Sequence, residues 1–261
     1  MERIKIKKIL KKKNKKSIVC LTAYSKNIAE ILDRHCDIVL VGDSLGSVIY
    51  GMKSTREVTI DMMINHAIGV KKGISKSVLV VDMPYKTYQN KKMALINARK
   101  IIQKTNCDAV KLEGGKEIIN TIKHLIKNKI SVMGHVGLLP QKEKRKFRYQ
   151  GKETTERKKI FNDAKLLSNS GAFAVVLECV EASLAKMITK SVKIPTIGIG
   201  SSKYCDGQIL VIDDLIGLNQ LKARFVKKYS NLRTIIENSV IKFKKEVHKK
   251  KFPSKRNSYF N

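Results

Sequence analysis

Four acidic side chains each close a short apolar run, at the point where a buried strand would end. They are Asp43 in Val41-Gly42-Asp43-Ser44, Asp82 in Val81-Asp82-Met83-Pro84, Glu113 in Lys111-Leu112-Glu113-Gly114-Gly115 and Glu178 in Leu177-Glu178-Cys179. A charge beside a buried strand is costly unless it is solvated, paired or metal-bound. Asp43 or Asp82 alone would read better as a helix N-cap. Four in successive units, in a chain with only 22 acidic residues against 54 basic ones, point to a site. Carboxylate oxygens are hard ligands and suit Mg²⁺, which completes its shell with water and substrate oxygens. Lys111 lies two residues before Glu113 and shares its strand face. There it could hold a substrate carboxylate or form a salt bridge to a ligand. His135, in Gly134-His135-Val136-Gly137, reads equally as a substrate hydrogen-bonding group or as rim packing. His35, His66, His124 and His248 read as surface or packing residues. Ser44 lacks partners for triad chemistry and is read as a donor to substrate. No His/Cys set has zinc spacing. Gly198-Ile199-Gly200 lacks the third glycine of a dinucleotide loop and reads as close backbone approach by substrate.

The elements that must position these groups recur along the chain. Apolar runs rich in valine and isoleucine occupy Ser17–Thr22, Asp37–Val41, Val78–Val81, Ala109–Leu112, Ile130–Met133, Ala172–Leu177, Thr196–Ile199 and Ile209–Ile212. They are continuous rather than alternating, as strands buried on both faces should be. Between them lie helical patterns, such as Ala94, Leu95, Ala98, Ile101 and Ile102, and Ile118, Ile119, Ile122, Leu125 and Ile126. Alternation of strand and helix implies a parallel sheet. Eight units in 261 residues favour a closed (β/α)8 TIM barrel over an open sheet. The acidic groups then converge on one rim, at the carboxyl ends of four strands. No linker or repeat interrupts the pattern, so the expectation is one domain over 1–261. A basic segment, Lys5 to Lys16, leads in as a surface helix, and a basic helical tail begins near Leu218.

Composition bounds the partners. Net charge is +32, yet lysine far outnumbers arginine, aromatics make up 6% and Trp is absent. Base-edge reading by arginine and base stacking are thus poorly provided for. An acidic rim would also repel phosphate. The expectation is no nucleic acid. No apolar run spans a bilayer and none resembles a signal peptide, so no membrane association is expected. Five cysteines, an odd number without a C-x-x-C pair, fit a reduced, cytoplasmic protein.

Taken together, Val41-Gly42-Asp43-Ser44-Leu45-Gly46, Val81-Asp82-Met83-Pro84, Val110-Lys111-Leu112-Glu113-Gly114-Gly115, Gly134-His135-Val136-Gly137-Leu138, Leu177-Glu178-Cys179 and Asp206-Gly207-Gln208-Ile209-Leu210-Val211 resemble the ketopantoate hydroxymethyltransferase family. The resemblance runs from about Ser17 to the Phe252-Pro253 tail. It implies a barrel assembled as a homodecamer, with Mg²⁺ held by Asp43, Asp82 and Glu113. It implies oxo-acid contacts from Asp43, Ser44, Asp82 and Lys111, and Glu178 as proton acceptor. His135 is kept as a candidate substrate contact. The implied reaction moves a one-carbon unit from 5,10-methylenetetrahydrofolate to 3-methyl-2-oxobutanoate, giving 2-dehydropantoate and tetrahydrofolate for pantothenate biosynthesis.

Two stretches depart from the family pattern. Arg145-Lys146 stand before Phe147 where a glycine pair is common, and Ser201-Ser202 stand where Ala-Gly is common. The rival enzyme reading is another Mg²⁺-dependent barrel lyase or mutase acting on a 2-oxo acid. The related lyases carry a Lys-Lys-Cys-Gly-His-type loop, and this sequence has none.

Overall fold

A computed structural model describes residues 4–142, 148–221 and 223–259. The chain forms two compact units, Met1–Val211 and Ile212–Asn261. In the first, eight parallel strands close into a barrel in chain order. They are β1 (Ile18–Thr22), β2 (Ile38–Val41), β3 (Val78–Asp82), β4 (Ala109–Glu113), β5 (Val132–Gly137), β6 (Ala174–Glu178), β7 (Thr196–Ile199) and β8 (Gly207–Leu210). The helices of this unit are α1 (Ile4–Leu10), α2 (Lys26–Leu32), α3 (Leu45–Val48), α4 (Ile60–Lys71), α5 (Lys91–Thr105), α6 (Ile119–Lys127), α7 (Thr154–Asn169) and α8 (Ala182–Ser191). The expected (β/α)8 barrel is present.

The interior is filled by alternate strand residues, among them Ile18, Ile38, Val78, Ala109, Met133 and Ala174. Ile6 and Ile9 of α1 join the same cluster. The basic segment expected on the surface therefore buries one apolar stripe, while Lys7, Lys8, Lys11, Lys15 and Lys16 stay exposed. Strands β2, β3 and β4 are buried at every position, as sheets covered on both faces require. β1 and β8 alternate instead, with Val19 and Gln208 exposed. No helix of the barrel unit follows β8.

β5 differs from its expected span, beginning two residues later and ending four later. Gly134 lies within β5, packed closely against its neighbours. A Cβ there would lie 2.8 Å from Leu167 Cδ1. His135 is thereby inside β5, rather than in the loop after it. β8 is displaced the other way, starting at Gly207, where a Cβ would lie 2.5 Å from the Ile18 carbonyl oxygen.

Asp206 ties the N-terminal segment to the barrel. It accepts from Lys13 Nζ at 2.8 Å, Asn14 N at 2.9 Å, Thr196 N at 2.8 Å and Thr196 Oγ1 at 3.0 Å. Removing the acid strands a largely buried ammonium and several N–H groups. Asp206→Ala should cost about 3 kcal/mol, seen as a melting temperature lowered by several degrees. An unchanged melt would show the cluster to be incidental.

The second unit holds α9 (Ile212–Leu215) and α10 (Leu232–His248). Tyr229 N donates to Leu215 O at 2.8 Å and Leu232 N to Ile216 O at 2.9 Å. Phe243 and Phe252 meet edge to face at 5.3 Å. The basic tail is helical as expected, but its long helix starts at Leu232, well after Leu218.

Candidate active site

The strand register builds the site two residues at a time. Asp82 is paired with Lys111, Glu113 with His135, and Gly137 with Glu178. Asp82, Glu113 and Glu178 are the last residues of β3, β4 and β6. Asp43 lies two residues beyond β2. These groups meet at the carboxyl ends of the strands, where a parallel barrel places its chemistry.

Lys111 is central. Its Nζ stands 3.0 Å from Asp82 Oδ1 and 3.4 Å from His135 Nδ1. Burial alone would lower its pKa, but Asp82, Glu113 and Asp43 overcome this and raise it. A protonated Lys111 has no lone pair to offer, so His135 Nδ1 must be the acceptor. A neutral ring then carries its proton on Nε2. That atom lies 3.2 Å from Glu178 Oε2, without good hydrogen-bond alignment. Burial, helped by Lys111, lowers the pKa of His135 against the pull of Glu178, so the ring is neutral near pH 7. Cys179 follows Glu178 in the left-handed region at φ 50°. It is pinned there by Cys179 N donating to Ile199 O at 2.8 Å and by Gln150 N donating to its carbonyl at 2.7 Å. This turn presents the Glu178 carboxylate, whose side chain is 13% exposed, toward the rim.

The three other carboxylates share a pattern. Asp82 Oδ2 accepts from Asp43 N at 3.0 Å, Asp43 Oδ2 from Gln141 Nε2 at 2.8 Å, and Glu113 Oε2 from Gln141 N at 3.0 Å. Each has one oxygen fixed by an N–H donor. Asp82 Oδ1 faces only the Lys111 ammonium, poorly aligned, and is otherwise unpartnered among the described residues. Burial, and next the Asp82 charge, push Asp43 up to about 7. Burial, and next the Asp43 charge, push Glu113 well above the usual carboxylate range. Four carboxylates with one ammonium and a neutral imidazole are short of positive charge. Hard oxygens, each with one atom spare, fit a divalent cation. Among the described residues no group of three or more His, Cys, Asp or Glu side chains already stands close enough together to hold a metal ion.

The charge imbalance has a consequence for stability. Asp43 titrates near 3.8 when unfolded and near 7 when folded. The folded state therefore holds its proton more tightly. The associated stability is complete below the unfolded value and is lost as pH rises through about 7. In chelator, Asp43→Asn should be more stable than the parent, by a margin that widens from about pH 5 to about pH 8. Melting curves in the two buffers measure this. A margin independent of pH contradicts it.

Ser44 is the remaining residue expected from sequence. It starts α3, and its Oγ lies 2.7 Å from Tyr24 Oη. The space over Gly42 joins it to the carboxylates. A Cβ there would lie 2.9 Å from Ser44 Oγ and 3.6 Å from Asp82 Oδ2. Three residues were not anticipated. Tyr24 carries Ser44, His66 supports Tyr24 by a 2.8 Å contact from Nδ1 to its carbonyl, and Gln141 threads the carboxylates. A glutamine directly after Leu139-Pro140, at the mouth of the β5 loop, was the available signal for the last. Arg145, Lys146 and Phe147 lie outside the described residues. Ser202 is buried, and its carbonyl accepts from Gln208 Nε2 at 2.8 Å.

A closed α/β barrel whose carboxyl rim gathers buried carboxylates around a lysine is the architecture of a barrel enzyme. A family model described as ketopantoate hydroxymethyltransferase matches residues 3–255. The 3-methyl-2-oxobutanoate hydroxymethyltransferase of Pelagibacter ubique is 63% identical over 255 residues, covering 98% of this chain and 99% of that protein. The protein of the same name from Rhizobium etli is 50% identical over 246 residues, covering 93% and 90%. The chain belongs to the ketopantoate hydroxymethyltransferase family and is an enzyme. Among solved structures, a phosphonopyruvate hydrolase in complex with oxalate and Mg²⁺ aligns with a TM-score of 0.61 at 10% identity, over 98% of this chain and 93% of that one. A phosphoenolpyruvate phosphomutase from Streptomyces platensis subsp. rosaceus aligns with a TM-score of 0.61 at 11% identity, over 94% and 87%. At such identities the likeness is one of fold.

Proposed function

We propose that the chain transfers a hydroxymethyl group to 3-methyl-2-oxobutanoate, with 5,10-methylenetetrahydrofolate as donor, in pantothenate biosynthesis. Besides family membership, one observation carries the reading: Lys111, His135 and Glu178 form a contiguous line beside three buried carboxylates.

The chemistry asks for loss of a weakly acidic C–H next to a ketone. The protonated Lys111 ammonium and the Ser44 hydroxyl suit the oxo acid's oxygens. The Glu178 carboxylate takes the proton from C3. His135 Nε2–H, fixed as donor by Lys111 on the other ring nitrogen, faces Glu178 Oε2 and steadies the base. Asp43, Asp82 and Glu113 would hold Mg²⁺, which when bound supplies Lewis-acid polarisation of the keto oxygen, worth several kcal/mol. The C3 carbon then forms its new bond to the donor's methylene carbon. Both C–N bonds of that methylene break, water supplies the hydroxyl oxygen, and tetrahydrofolate leaves with the proton taken from C3 and one from water on its two freed nitrogens. Burial of the lysine and carboxylates keeps these electrostatic terms strong.

The remaining expectations stand as parts of the same proposal. All five cysteines are buried thiols outside any disulfide, which agrees with a cytoplasmic setting. No helix among the described residues is long and apolar enough to cross a membrane. Ile235, Val240, Ile241 and Phe243 of α10 are exposed, apolar area that a homo-oligomer, here a decamer, would bury. The partners are small molecules, without nucleic acid. Exchange of the C3 hydrogen of 3-methyl-2-oxobutanoate in heavy water, with no one-carbon donor present, tests the first step. Exchange that requires both the enzyme and a divalent cation is expected. Its absence in folded, Mg²⁺-supplied enzyme would sink the proposed step.

A further inference from the structure

Gln141 is 1% exposed and every polar group it carries is engaged. Its side-chain Nε2 donates to Asp43 Oδ2 at 2.8 Å and to the Met83 carbonyl at 3.0 Å. Its backbone N donates to Glu113 Oε2 at 3.0 Å. Its carbonyl accepts from Arg56 Nε at 2.8 Å. Tyr88 Oη donates to Oε1 at 2.6 Å and holds the amide in place. Tyr88 is itself buried, and its hydroxyl also accepts from Glu113 N at 3.3 Å. One loop residue therefore joins the ends of β2, β3 and β4, the three strands that supply the carboxylates. Nε2 must be the nitrogen at Asp43, since the opposite flip would set an amide oxygen against a carboxylate and a carbonyl.

We propose that Gln141, locked by Tyr88, is the positioning residue for the divalent-cation site. It holds one oxygen of Asp43 and one of Glu113, and so aims their second oxygens at the ion. The inference rests on the proposed metal reading of Asp43, Asp82 and Glu113. Ligating carboxylates are commonly oriented in this way by outer hydrogen bonds, and loss of such a bond typically lowers metal affinity by about 10- to 100-fold. A purely structural tie would instead affect stability and leave affinity alone.

The test is Mn²⁺ binding to the full-length chain, followed by the electron paramagnetic resonance of the free ion, with melting curves on the same samples. Gln141→Met keeps the volume and removes the amide. It is expected to weaken Mn²⁺ binding by about 10- to 100-fold while the chelated protein keeps its fold. Tyr88→Phe removes only the hydroxyl that holds the amide's Oε1. It should weaken binding in the same direction by less, and it decides the matter if Gln141→Met fails to fold. In turnover, both variants should raise the Mg²⁺ concentration needed for half activity more than they lower kcat at saturating Mg²⁺. Asp43→Asn separates the two claims. If wild type binds Mn²⁺, Asp43→Asn does not, and the folded Gln141 and Tyr88 variants bind like wild type, the positioning role is overturned and the metal site stands. If wild type and Asp43→Asn bind alike, the metal site is overturned and the positioning role falls with it.

Discussion

Replacing Glu178 by Gln is expected to abolish proton exchange at C3 of 3-methyl-2-oxobutanoate while the oxo acid still binds. Gln has the same length and keeps contact with His135, so the rim should retain its shape. What it loses is the lone pair of an ionised carboxylate. A positioned general base contributes about 10²- to 10⁴-fold, and the exchange rate should fall by that factor. Binding should change little, because Lys111, Ser44 and the other carboxylates are untouched. Isotope exchange and equilibrium binding on the same sample separate the two effects. Exchange at the wild-type rate would remove Glu178 from the role. The turn at Cys179 leaves Glu178 the most accessible of the four rim carboxylates, where a substrate carbon can be reached.

Lys111→Met should be the most damaging change to both stability and catalysis. The ammonium is buried, 3.0 Å from Asp82. Its removal leaves Asp82, Asp43 and Glu113 repelling one another in a dry rim. Breaking a buried pair by deleting one partner costs about 3–5 kcal/mol. A divalent cation would restore part of the missing charge. The melting temperature should therefore fall sharply in chelator, and the gap to wild type should narrow in Mg²⁺. Activity should not return with the metal, since the group proposed to receive substrate oxygens is gone and His135 loses the partner at its Nδ1. A variant that melts like wild type in chelator would show that the carboxylates do not depend on this lysine.

The fold was largely legible because its strands are buried on both faces. Ile38–Val41 and Val78–Val81 are unbroken apolar runs, as strands covered on both faces should be. Boundaries failed where glycine served packing rather than turning. Gly134 and Gly207 fell just outside the expected runs Ile130–Met133 and Ile209–Ile212, but each lies in a strand pressed against a neighbour. The acidic rim was legible for a related reason. A charge at the end of such a run stands out, and its strand fixes the direction in which it points. Tyr88 and Tyr24 were not legible, since nothing in their local sequence sets them apart, and Gln141 was marked only by its place after Leu139-Pro140. Gln141 meets Asp43 from 98 positions away and Tyr88 from 53, and only closure of the barrel brings them together.

The most direct measurement is product formation by the purified enzyme supplied with 3-methyl-2-oxobutanoate, 5,10-methylenetetrahydrofolate and Mg²⁺, beside an identical sample in chelator. Formation of 2-dehydropantoate with Mg²⁺, and its loss in chelator, is the predicted result. Equal product in both samples would contradict the metal role of Asp43, Asp82 and Glu113. No product from folded, Mg²⁺-supplied enzyme would contradict the proposed transfer itself.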